Sequence, residues 1–87
     1  MAYEIHFEER VIKRDIPSIP LANKEQIMRA IYERLTVAPL NYGKPLRHGL
    51  SGLRSLRVGD WRIGYCVEGG DVVIEHIELR RDAYKDW

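Results

Sequence analysis

Two glycine-bearing turns constrain this chain more than any other feature. Gly59-Asp60 and Glu68-Gly69-Gly70-Asp71 cut the last third into three segments of strand length, about residues 53–58, 61–67 and 72–79. Such turns join neighbouring strands into hairpins. Gly59-Asp60 puts glycine first, unlike the Asp-Gly order favoured in type I′ turns. In the middle segment Trp61, Ile63, Tyr65 and Val67 share one face, and Arg62, Gly64 and Cys66 share the other. The first face is expected to meet a helical layer, with Trp61 in the core. The second is expected to stay open.

The rest of the chain supplies that layer. Residues 2–8 alternate, with Tyr3, Ile5 and Phe7 opposite Glu4, His6 and Glu8, as in a half-buried strand. Residues 9–16 form a short helical stretch in which Val11, Ile12 and Ile16 can pack, and Pro17 and Pro20 bracket a break. A longer helix is predicted over about residues 23–38. Asn23 is read as its cap and Gln26 completes a capping box. Ile27, Ile31 and Leu35 make its apolar stripe, widened by Ala30 and Ala38, and Pro39 ends it. Residues 41–52 read as loop, and residues 80–87 as a short tail. The expected fold is α+β in the order β-α-α-β-β-β, with one antiparallel sheet and two helices packed on one face. With 87 residues it is a single domain, 1–87, with a thin core, since a chain this short hides only roughly 60% of its unfolded surface.

One cysteine, Cys66, excludes an internal disulfide and a cysteine-built zinc site; no metal or cofactor is expected. No apolar run approaches the roughly 20 residues of a membrane span, and the N-terminus does not read as a signal peptide. A cytoplasmic protein is the expectation.

Net charge is only +1, but it is unevenly spread. Residues 1–42 balance six acids with six bases. Residues 43–62 hold Lys44, Arg47, Arg54, Arg57 and Arg62 against Asp60 alone, and residues 63–87 are acidic overall. Concentrated basic charge suits a phosphate-binding surface. Strand parity puts Arg62 on the open face, with Arg57 as a cross-strand or diagonal neighbour. Parity alone turns Arg54 inward with Leu56 and Val58, unless a bulge or a frayed strand start lets it out. Arginine is always protonated and so no base, but it can clamp a phosphodiester and stabilise charge developing on it. An open basic face beside a tail bearing arginine and tyrosine suits unpaired RNA.

The run from Lys44 to Tyr84 resembles the RelE/ParE superfamily of toxins from bacterial and archaeal toxin–antitoxin modules. The matching features are KPL, then GLRSLRVGDWRIGY with Arg57 and Arg62 in the arginine slots, then LRRDAY. The opening AYEIHFEERVIKRDIPSIP is similar to the family's first strand and helix. The resemblance implies the β-α-α-β-β-β fold and a cognate antitoxin that forms a hetero-oligomer with the toxin. In the RelE-like branch it implies cleavage of messenger RNA in the ribosomal 30S A site, by attack of a ribose 2′-hydroxyl on the adjacent phosphate.

By the same resemblance Arg57 and Arg62 clamp the phosphate. Arg80 stabilises transition-state charge or protonates the leaving group, and Tyr84 stacks on or orients the nucleotide. Lys44, Arg47, Arg54 and Arg81 are candidate RNA contacts. Where several members carry lysines, this chain has Leu53 and Ser55. Where many read Gly-His-Arg, it has Glu78-Leu79-Arg80. The candidates for proton transfer are therefore His48, His76, Glu75 and Glu78. Two alternatives accompany the RNase reading: a ParE-like toxin that inhibits DNA gyrase without cleaving RNA, and a catalytically weak member kept for antitoxin binding.

Overall fold

The computed structural model describes residues 2–45 and 52–79. Its C-terminal strands are β3 (Leu53–Val58), β4 (Trp61–Glu68) and β5 (Asp71–Leu79). Both hairpins close on two residues, with Val58 opposite Trp61 and Glu68 opposite Asp71. Gly59 and Gly69 each sit at φ 59°, while Asp60 is not in the left-handed region. A positive φ at the first loop position alone is the type II′ pattern, which explains the glycine-first order.

A two-residue strand, β2 (Lys44–Pro45), pairs antiparallel with β3 inside the stretch expected to be loop. Proline has no N–H to give a further neighbour, so it is tolerated at an edge. The first strand, β1 (Glu4–Phe7), completes a five-stranded sheet of order β1-β5-β4-β3-β2. This corrects the expectation of an all-antiparallel sheet, because β1 runs parallel to β5. No hairpin joins those two strands, so nothing in the connection imposes opposite directions.

Helical segments cover one face. Val11–Asp15 is wound as π-helix and Ile16–Ser18 as 3₁₀-helix. Helix α1 (Leu21–Ala30) continues as π-helix through Ile31–Leu35. Asn23 is not its cap. The helix starts two residues earlier, where extended Pro20 offers its carbonyl to Lys24 N–H at 2.9 Å. Pro39 does not simply end the helix either. It opens a one-turn helix, α2 (Pro39–Tyr42), where its missing N–H costs nothing.

The predicted stripe is the core. Ile27, Ile31 and Leu35 are fully buried against Ile63, Tyr65, Val72 and Ile74, with Trp61 at the margin. Val11 joins them and Ile16 packs partly, but Ile12 is 55% exposed. Tyr3, Ile5 and Phe7 pack partly buried on the same core, and β1's alternating exposure matches its period-two pattern.

Candidate functional site

The open sheet face is ordered in rows by strand register. Arg57 of β3 directly faces Arg62 of β4, and Arg62 faces Glu78 of β5. One row along, Ser55, Gly64 and His76 lie abreast. Directly opposed residues carry their Cβ atoms about 4.5–5.5 Å apart, so two guanidinium groups share one small area. Arg57 is exposed and Arg62 half-buried. Like charges so opposed repel, and an anion between them removes the repulsion. Gly64, itself buried, adds no side chain to its row.

A register shift between Gly64 and Tyr65 makes Glu75 an extra residue in β5: His76 pairs with Gly64, but Ile74 pairs with Tyr65. The bulge keeps Ile74 and Ile77 in the core while His76 and Glu78 take the open face. Glu75 hydrogen-bonds to the Cys66 thiol. Burial, then the charge and hydrogen bond of Glu75, push that thiol up, so it stays protonated and unreactive.

Beyond Ile74, β5 has no β1 residue to pair with, and the helical segment takes over that edge. Glu8 N–H donates to Ile74 O at 3.0 Å and Ile77 N–H donates to Asp15 Oδ2 at 3.1 Å. Between these anchors the Arg10 guanidinium meets the His76 ring, contacting Nδ1 and lying 3.0 Å from Nε2. Glu78 Oε1 lies 3.7 Å from His76 Nδ1. A groove of about 710 Å³ runs here, with Arg10, Lys13 and Arg14 on one wall and Glu75 and His76 on the other.

Of the proton-transfer candidates, His76 and Glu78 therefore stand beside Arg62, and Glu75 belongs to the bulge and Cys66. His48, Arg47, Arg80, Arg81 and Tyr84 lie outside the described residues. Lys44 pairs through its backbone with Ser55.

Arg54, a candidate RNA contact by sequence, does not share the open face with Arg57 and Arg62. It follows strand parity and turns to the helix side, where Nη2 donates to the carbonyls of Leu40 at 2.8 Å and Gly43 at 2.6 Å. The guanidinium thus satisfies carbonyls at the end of α2 that have no partner within the helix. The contact of Arg10 with His76 had no signal in the sequence, since 66 positions separate them.

At the opposite end of the open face, Glu4, Asp71 and Glu68 lie abreast on β1, β5 and β4. His6 Nε2 is 3.0 Å from Asp71 Oδ1. The face is therefore polar in charge, with arginines at one end and carboxylates at the other.

Residues 8–84 match the family described as ParE toxin of the type II toxin–antitoxin system, parDE. Toxin RelE of Mycobacterium tuberculosis (strain ATCC 25618 / H37Rv) is 35% identical over 74 residues, which cover 83% of this chain and 76% of the relative. Toxin RelG of the same organism is 32% identical over 87 residues, covering 98% and 99%. Among solved structures, a chain of the toxin–antitoxin complex RelBE2 from Mycobacterium tuberculosis superposes with a TM-score of 0.83 at 29% identity, covering 92% of this chain and 93% of that one. The isolated RelE toxin of E. coli shares the fold, with a TM-score of 0.73 at 19% identity over 97% of both chains. The family match spans nearly the whole chain, open face included, and the chain belongs to the RelE/ParE superfamily as a toxin of a type II toxin–antitoxin module.

Proposed function

We propose that this toxin is a ribosome-dependent endoribonuclease that cuts messenger RNA. The observation that carries the reading is the direct opposition of Arg57 and Arg62 on the open face, with Glu78 and His76 in the adjoining positions of β5. The two guanidinium groups hold the scissile phosphate and stabilise the charge that gathers on its oxygens. The 2′-hydroxyl gives up its proton and its oxygen bonds to phosphorus. The bond to the 5′-oxygen breaks, leaving a 2′,3′-cyclic phosphate and a 5′-hydroxyl. His76 and Glu78 handle protons at this site. Arg80 and Tyr84, which follow β5 directly in the chain, complete it by charge stabilisation and base stacking.

The ribosome supplies positioning. Holding the reacting atoms in line is worth several orders of magnitude in rate, so modest proton acceptors suffice. A cognate antitoxin keeps the toxin inactive. Related chains were solved as toxin–antitoxin complexes, which supports such a partner here. An antitoxin segment bearing acidic residues would neutralise the Arg57–Arg62 row.

Primer extension on messenger RNA from a translating extract tests the reading. Toxin-dependent 5′-hydroxyl ends at positions occupied by ribosomes are expected, with no effect on gyrase supercoiling of plasmid DNA. Intact messenger RNA together with inhibited supercoiling would assign the toxin to the gyrase-directed class. Neither effect would leave antitoxin binding as its activity.

A further inference from the structure

The acidic end of the open face gathers a second set of chemistry-bearing side chains. We propose that Glu4, His6 and Asp71 form a binding site for a divalent transition-metal ion such as Zn²⁺, which clips the edge strand β1 to β5. The inference stands apart from the endoribonuclease reading, because none of these residues belongs to the arginine end.

Strand register brings the three together. Glu4 of β1 sits directly beside Asp71 of β5. His6 lies two residues further along the same face of β1, about 6.6 Å away. His6 Nε2 is 3.0 Å from Asp71 Oδ1, and one donor atom from each of the three residues lies within 4.8 Å of the other two. Donors about 2.1 Å from a tetrahedral ion stand roughly 3.4 Å from one another, so rotation of these exposed side chains by little more than about 1 Å completes the set. Among the described residues no other three side chains of His, Cys, Asp or Glu converge in this way.

Charge favours a cation there. Glu68 of β4 stands on the other side of Asp71, so three carboxylates lie abreast. Like charges so opposed repel, and among the described residues no lysine or arginine is ion-paired with them. The imidazole selects the ion. Calcium and magnesium take oxygen ligands, whereas one histidine with two carboxylates suits zinc and its neighbours. Three protein ligands leave the fourth tetrahedral position to water.

The backbone beneath the ligands is set without the ion. β1 pairs with β5 from Glu4 to Phe7, and Glu4 N–H donates to Gly70 O at 2.9 Å, one residue before Asp71. That ladder is only four residues long. An ion held from both strands adds a second fastening between the first strand of the chain and the last.

Titration of zinc chloride into ¹⁵N-labelled full-length toxin above pH 7, where free imidazole is mostly neutral, follows the His6 ring directly. One ion should bind per chain and move the His6 Nε2 resonance, and magnesium chloride should leave it in place. At ten times the Kd the thermal transition should rise by about 5–10 °C. His6→Gln and Asp71→Asn, with their folds checked by amide spectra, should each weaken zinc binding at least about tenfold, while Cys66→Ser should not. Zinc that moves other histidine rings and leaves His6 in place would overturn the proposal. So would an unchanged zinc affinity in His6→Gln.

Discussion

Tyr65 and Gly43 show how single side chains hold this thin-cored domain. The Tyr65 phenol is fully buried and donates to Pro39 O at 2.6 Å. A Cβ on Gly43 would lie 2.0 Å from the Tyr65 hydroxyl oxygen, so glycine is required where α2 crosses the ring. Tyr65→Phe leaves a buried carbonyl with one partner fewer and should cost about 1–2 kcal/mol in urea unfolding. Gly43→Ala should cost more, because the ring must move. Burial pushes the Tyr65 hydroxyl above its ordinary 10.0, outweighing the Arg54 guanidinium beside it. A phenol whose folded pKa is raised contributes stability fully below pH 10, and that contribution fades as pH rises through the folded value. Tyr65→Phe should therefore lose less stability than the wild type as pH rises above 10. At this scale the sequence shows which way a side chain turns but not what it meets. Alternation placed Arg62 outward and Arg54 inward. The carbonyls that hold Arg54 come from residues 11 and 14 positions earlier, a pairing that no local pattern specifies.

Among elements, the hairpins and the long helix were readable because their signals are local. Glycine first in each loop demands a II′ turn, and the Ile27–Ile31–Leu35 spacing demands one buried stripe. The direction of β1 was not readable, since it depends on which edge the strand joins after the helices have packed. Nor was the bulge at Glu75, where two consecutive polar residues carry no glycine to mark a break. The helical segment after β1 caps the edge of β5, and Asp15 is its lock, accepting the Ile77 N–H. Removing that acceptor leaves a part-buried amide unsatisfied, at about 1–3 kcal/mol. Asp15→Ala should speed hydrogen exchange at the Ile77 amide by one to two orders of magnitude, while amides in the β3–β4 ladder keep their protection. Uniform loss across the sheet would show that the segment and sheet unfold as one unit instead.

Over the whole molecule, the uneven charge visible along the chain becomes an uneven charge across one face. Arg57 and Arg62 occupy one end, and Glu4, Asp71 and Glu68 the other. No described helix is long and apolar enough to cross a membrane. A single-stranded polyanion meets attraction at one end of the sheet and repulsion at the other, which orients it across β3 and β4. The helices take the opposite face, so the open face and the core are separated by one sheet layer. Arg57 is the cleanest probe of this arrangement. It is exposed, and exposed substitutions of this kind usually change stability by less than about 0.5 kcal/mol. The decisive measurement is the single-turnover rate of messenger RNA cleavage on purified ribosomes by Arg57→Ala, with the fold checked by its thermal transition. The phosphate clamp predicts a fall of about 10²-fold or more at an unchanged transition temperature. A rate within twofold of the wild type would contradict it.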